Sequence, residues 1–195
     1  MIRKLCDNFI NYICEDNFNS DEKEVITYVL KVIVFEILKL VGTLIIFYLL
    51  GYFYESLIIL IIFSFIKPFI GGYHATSQLN CFLANIFIHS SIIILSEECT
   101  ITFIGTSMLL SASFLAIYNQ APIINDQMPM TKPKLIKKNR KRGLINLSII
   151  SLISIIIYIY DSHYSAIICW SIVSLAILMF NRLSWQESLD KKDSR

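Results

Sequence analysis

Long apolar blocks separated by short polar breaks run along almost the whole chain, and the blocks have the length of membrane-crossing helices. Residues 2–18 precede them with a weaker pattern, in which Ile2, Leu5, Phe9 and Tyr12 or Ile13 recur at helical spacing between polar residues. That pattern predicts an N-terminal amphipathic helix lying in the membrane interface, with a frayed water-exposed helix as the alternative. Asn19, Ser20 and Asp21 then offer a cap, followed by Glu22, Lys23 and Glu24 in a first turn, so the first long helix is predicted to run to about Leu50. Its first half carries Glu24, Lys31, Glu36 and Lys39. Glu24, Tyr28, Lys31 and Lys39 fall roughly along one stripe, and Glu36 reaches Lys39 by the three-residue spacing. Charge facing lipid is costly, so this stripe is expected to face protein or a wet vestibule.

Gly51 marks the first turn, and a second helix is predicted from about Phe53 to Ile66, where Lys67 and Pro68 end the pattern. A third helix begins between Ser77 and Cys81 and runs to about Leu95; Ser96 to Cys99 form an acidic turn. A fourth runs from about Ile101 to Tyr118. Residues 119–142, with Pro122, Pro129 and Pro133, read as a loop. A fifth helix follows Gly143 to about Tyr160, Asp161 to His163 turn the chain, and a sixth runs from about Ser165 to Phe180. The fold class predicted is all-α: a polytopic integral membrane helical bundle of about six transmembrane helices, forming one domain over 1–195. Within it, 1–20 is the interfacial helix, 22–181 the bundle, 119–142 a basic cytoplasmic loop and 182–195 a tail. Helices two and three as re-entrant hairpins are the alternative topology.

Composition supports this. Of 195 residues, 55% are hydrophobic and only 16% charged, against about 25% charged in soluble domains. Asp7, Glu15 and Asp16 break the first segment before an apolar core forms, so no cleaved leader is expected. Lys132, Lys134, Lys137, Lys138, Arg140, Lys141 and Arg142 cluster in one connection, whereas the turns at 51–54, 97–100 and 161–164 contain no Lys or Arg. The positive-inside rule then puts both termini, residues 67–80 and the basic segment in the cytoplasm of a cell-membrane protein. The basic cluster is also suited to contact anionic membrane lipid or an acidic peptide tail. It does not form a nucleic-acid recognition module, and no nucleic-acid partner is expected. Cys6, Cys14, Cys81, Cys99 and Cys169 are odd in number and lack metal spacing; no metal or cofactor is predicted.

The stretch 66–82, IKPFIGGYHATSQLNCF, interrupts the apolar pattern with the glycine pair Gly71 and Gly72, His74 and Cys81. Cys81 is the strongest nucleophile candidate, and His74 is the natural base, able to take the thiol proton and later protonate a leaving amine. Seven residues apart on one straight helix, the two would lie about 10.5 Å apart along its axis. Direct proton transfer therefore requires His74 to fold back off the helix that carries Cys81, and Gly71 and Gly72 give the chain that freedom. Ser77, Gln78 and Asn80 could hydrogen-bond the histidine or an oxyanion, or simply cap a turn. His89 reads as a packing histidine. Ser107, Ser111, Ser113, Ser148, Ser151 and Ser154 suit close helix packing, or else a polar transport path.

The run GGYHATSQLNC resembles the AgrB accessory gene regulator family, polytopic membrane cysteine peptidases that process a quorum-sensing pro-peptide. The resemblance extends over nearly the whole chain, including the loop APIINDQMPMTKPKLIKKNRKRG. It implies Cys81 as nucleophile, His74 as base and Gly72 as the glycine before the histidine motif, with Lys67 standing where the family commonly has arginine. Lysine keeps the positive charge and loses the bidentate fork. The resemblance also implies an AgrD-like pro-peptide as partner, a homodimer, and cleavage through an acyl-enzyme thioester followed by cyclisation to a thiolactone or lactone. Lys67, Gly71, Gly72, Ser77 and Gln78 are the candidates for substrate or oxyanion contact. The competing class is a small-solute or peptide transporter that works without Cys81 chemistry. A metal-binding protein using His74, Cys81, His89 and Cys99 is a weaker third.

Overall fold

The computed structural model describes residues 20–71, 78–123 and 133–179, and among them the chain forms α1 (Ser20–Leu49), α2 (Phe53–Ile70), α3 (Gln78–Glu98), α4 (Phe103–Gln120), α5 (Pro133–Tyr160) and α6 (Ser162–Ile177). The expected interfacial helix at 1–20 lies outside the described residues except for Ser20, as does the tail from 180 onward. The chain divides into two compact units, residues 1–46 and 47–195. In the first, Glu36 and Lys39 form the expected ion pair; the side chains of Glu24, Tyr28 and Lys31 lie outside the description.

The second unit is an all-α bundle organised around α6. Hydrophobic and small on every side, α6 packs against α2, α3, α4 and α5, and it buries Ile167, Ile168, Cys169, Ile172 and Leu175 almost completely. Serine lets the neighbouring helix come close: Ser165 Oγ donates to the Ser154 carbonyl of α5 at 2.9 Å, with the two hydroxyls 3.2 Å apart. By contrast, Ser107 and Ser111 bond carbonyls of their own helix, and Ser111 faces outward.

Among the described residues three helices, α2, α3 and α5, are both long and apolar enough to cross a membrane, where the sequence predicts six crossings. Two of the others, α4 and α6, fall short for identifiable reasons. Polar residues from Thr106 to Ser113, and Asn119–Gln120, dilute α4. The 16 residues of α6 span about 24 Å against roughly 30 Å of hydrocarbon. The chain is thus a polytopic membrane protein with an all-α bundle and several long apolar helices.

Three boundaries differ from expectation, the smallest change being that α3 runs through Ser96 and Glu97, expected as a turn, to Glu98. Pro68 does not end the second helix: α2 runs through it to Ile70 and is closed by Gly71, whose φ of +76° and N–H to the Lys67 carbonyl (2.9 Å) stop it. Nor are residues 133–142 a loop. They form the first turns of α5, with Pro133 at the start, where its missing N–H costs nothing. The 28 residues of α5 extend about 42 Å, so its basic turns project beyond the apolar portion that begins at Gly143.

Candidate active site at one end of the bundle

The ends of α2 and α4 meet the basic part of α5 at one end of the bundle. Ile123, in the connection after α4, donates its N–H to the Ile70 carbonyl at 2.8 Å. A Cβ on Gly71 would lie 2.3 Å from the Ile123 carbonyl oxygen, so the two strands approach as only glycine allows. Gly143 of α5 sits against Ile70 and Phe69, where a Cβ would come within 2.6 Å of Ile70 Cγ2. One turn further on, the Asn146 side-chain amide donates to the Phe65 carbonyl of α2 at 2.8 Å. Arg140 is half-buried against the end of α4: its guanidinium donates to the Tyr118 carbonyl at 2.9 Å and lies 5.0 Å from the centre of the Tyr118 ring. A cation placed on the last carbonyls of a helix is favoured by the helix field.

The predicted site residues distribute as follows. Lys67 is half-buried, directly before Pro68 near the end of α2. Gly71 closes that helix. Gly72, His74, Ser77 and Lys132 lie outside the described residues. Gln78 is the exposed first residue of α3, and Cys81 follows three residues later, half-buried and outside any disulfide. Because Glu97, at the far end of α3, meets the opposite end of the bundle, Cys81 belongs to the end that carries Gly71 and the basic turns. Lys134, Lys137, Lys138, Lys141 and Arg142 are exposed on the projecting turns. Arg140 differs from them, being committed to Tyr118.

His89 is a packing residue, as expected. It is 1% exposed, stacks on Phe47 at 5.7 Å, lies 6.3 Å from Phe63, and its Nδ1 lies 2.9 Å from the Asn85 carbonyl oxygen. Cys169 is fully buried and Cys99 exposed.

Sequence reasoning missed Ile123, Gly143 and Asn146. For Asn146 a signal existed: it is the one amide in the apolar run from Gly143 to Tyr160, and a lone amide there calls for a partner. The partner lies on a helix interrupted by proline.

The family model for AgrB, described as Accessory gene regulator B, matches residues 6–180. The chain is 39% identical over 188 residues to AgrB-like protein 1 of Clostridium perfringens (strain 13 / Type A), covering 96% of this chain and all of the relative. It is 27% identical over 184 residues to an AgrB-like protein of Clostridium perfringens (strain SM101 / Type A), covering 88% of this chain and 82% of the relative. No solved structure matches the chain.

Proposed function

This chain belongs to the AgrB family, and from that premise we propose that it is a membrane cysteine endopeptidase that removes the C-terminal tail of an AgrD-like signal pro-peptide and cyclises the remainder. The observation that carries the reading is the family match across residues 6–180, which includes the His74 and Cys81 spacing of GGYHATSQLNC. Support also comes from Cys81 standing near the start of α3, at the end of the bundle where Lys67 and the basic turns of α5 lie.

In this mechanism His74 takes the Cys81 proton, and the sulfur attacks the carbonyl at the junction of signal segment and tail. The C–S bond forms, the peptide C–N bond breaks, and the proton passes from His74 to the departing amine. A thioester remains on Cys81. A side-chain thiol or hydroxyl of the signal segment then attacks the thioester carbonyl, closing the ring and returning the proton and the free thiol to Cys81. A thiol attack exchanges one thioester for another and is nearly isoenergetic, so the ring survives only if water is kept away, as a membrane site allows. Lys67, Gly71, Gly72, Ser77 and Gln78 are the proposed contacts to substrate or oxyanion. Lys132, Lys134, Lys137, Lys138, Lys141 and Arg142 attract an acidic tail or anionic lipid.

The proposed topology has six crossings, the cytoplasmic side holding the catalytic end and both termini, and a homodimer as working unit. Co-expression with short peptides encoded beside the gene, followed by mass spectrometry, tests the chemistry. A Cys81-linked acyl species is expected, with tail release lost in Cys81→Ala and Cys81→Ser and nearly lost in His74→Ala. Tail release that survives Cys81→Ser sinks the reading. A membrane-impermeant maleimide tests the topology: it should label Cys99 from outside, Cys81 only from the cytoplasmic side, and Cys169 from neither.

A further inference from the structure

The outward faces of α3, α4 and α5 are apolar over nearly the same length. On α3 the exposed polar limits are Asn80 and Glu97, and on α4 they are Thr102 and Asn119; each pair is about 26 Å apart along its helix. On α5 the limits are Arg142 and the exposed Tyr160, about 27 Å apart. Between these limits the large exposed side chains, Phe87, Met108 and Leu152 among them, are all apolar. Ser111, exposed on α4, spends its hydroxyl on the Ser107 carbonyl and so presents no unused donor to lipid. The helices are also tied crosswise at both ends, which prevents them from sliding to lengthen this girdle. At one end the Tyr158 hydroxyl donates to the Ile101 carbonyl and the Ser165 hydroxyl to the Ser154 carbonyl. At the other, Arg140 donates to the Tyr118 carbonyl and the Ile123 N–H to the Ile70 carbonyl.

A typical hydrocarbon core is about 30 Å thick, and an ordinary helix tilt of about 20° reduces the girdle to about 25 Å across the membrane. The length of α6, about 24 Å, is short against the typical core but matches the girdle. We infer that this bundle selects lipid by acyl-chain length: its outward faces fit a thin bilayer, of the kind formed by monounsaturated chains of about 16 carbons or fewer, and thicker bilayers thin around it. Lipid gives way because its chains can compress or disorder, whereas the cross-tied helices hold their two polar rims at a fixed separation. The inference concerns the lipid-facing surface and is independent of the peptidase reading.

The test uses the full-length chain in vesicles with one fluorescent reporter on the outward face of α5, Ile149→Trp, in a background of Trp170→Phe and Trp185→Phe. Dibrominated phosphatidylcholine quenches a tryptophan that it touches. Mixing it in turn with phosphatidylcholines whose monounsaturated chains run from fourteen to twenty-two carbons therefore gives the relative affinity of the surface for each chain. Affinity should be highest at fourteen or sixteen carbons and should fall about threefold by twenty-two. Replacing the polar rim at the basic end, by Asn119→Leu with Lys141→Leu and Arg142→Leu, lengthens the apolar faces of α4 and α5 and should move the maximum up by about two carbons. Affinity that does not vary with chain length, a maximum at eighteen carbons or more, or a reporter that stays unquenched would overturn the inference. So would a maximum that stays in place in the folded leucine variant. The chain-length series on the native rim decides the matter even if the leucine variant does not fold.

Discussion

The two ends of the bundle each carry a glycine with positive φ, Gly51 at +86° and Gly71 at +76°, and the two are held in different ways. Around Gly51 everything is local. The Gly51 N–H reaches the Tyr48 carbonyl at 3.1 Å and the Tyr52 N–H the Phe47 carbonyl at 2.8 Å, a closure made by six consecutive residues. The same end has local caps on two more helices. Thr102 Oγ1 accepts from the Gly105 N–H, and the Asp161 carboxylate accepts from the N–H groups of His163 and Tyr164. Around Gly71 the N–H also closes locally, onto the Lys67 carbonyl, but the further partners come from far along the chain: Ile123, Gly143, Asn146 and, on the adjoining helix end, Arg140 with Tyr118. One end is built mainly of turns, with one bond between distant residues, from the Tyr158 hydroxyl to the Ile101 carbonyl at 3.1 Å. The other is an assembly, and it carries Gly71 and Cys81.

The largest effect expected from this contrast is between the glycines themselves. A Cβ at Gly51 meets nothing within 4 Å, so Gly51→Ala should cost only the strain of a left-handed alanine, about 1 kcal/mol. At Gly71 the same strain adds to a Cβ 2.3 Å from a backbone oxygen that is itself tied into the chain, so Gly71→Ala should cost about 3 kcal/mol or more and abolish tail release. Gly143→Ala falls between, at about 1–2 kcal/mol, because its nearest obstacle is the movable side chain of Ile70. Thermal midpoints of the detergent-solubilised variants give the order. If Gly71→Ala and Gly51→Ala prove equal, the end that holds Cys81 is as locally determined as the other.

The same contrast explains which parts of the fold are legible in the sequence. Helix limits near Gly51, Thr102 and Asp161 follow from residues within a turn of the boundary, and the start of α3 just before Cys81 follows from the break at 71–77. The passage of α2 through Pro68 does not, because it is supported by Asn146 and Gly143 of another helix. Likewise the charge-rich residues 133–142 read as loop from composition, yet Ile136 is buried to 2% exposure and Arg140 binds the end of α4, so the helix is stabilised by contacts that composition does not reveal. Of the candidate site, the motif residues are readable; their support is not. The role of α6 as hub was hidden for a similar reason, since the sequence reads it as one of six equivalent crossings rather than as the element the others surround.

Next in size is a separation among the cations. Arg140→Ala removes the hydrogen bond and ring contact that finish α4 and should cost about 1–2 kcal/mol. Lys137→Ala, on the exposed side of the same turns, should shift stability by less than about 0.5 kcal/mol while weakening capture of vesicles containing anionic lipid. If the two substitutions alter stability equally, Arg140 is one more solvated charge. At the opposite end, Asp161→Ala removes the acceptor for two N–H groups and should cost about 1 kcal/mol, recovered in large part by Asp161→Asn.

The smallest effect belongs to the charged contact that joins three helices there. His163 Nε2 lies 3.9 Å from Glu55 and 3.8 Å from Glu97, so one imidazole stands between the start of α2 and the end of α3. Both separations exceed a hydrogen bond, and Glu97 is nearly half exposed, so water screens the interaction. His163→Gln should therefore change the thermal midpoint at neutral pH by less than the neighbouring Asp161→Ala, corresponding to under about 0.5 kcal/mol. A loss above that of Asp161→Ala would mean that this end too is fixed by contacts between distant helices. The local caps would then be decoration on an assembly, and the difference between the two ends would reduce to which of them carries Cys81.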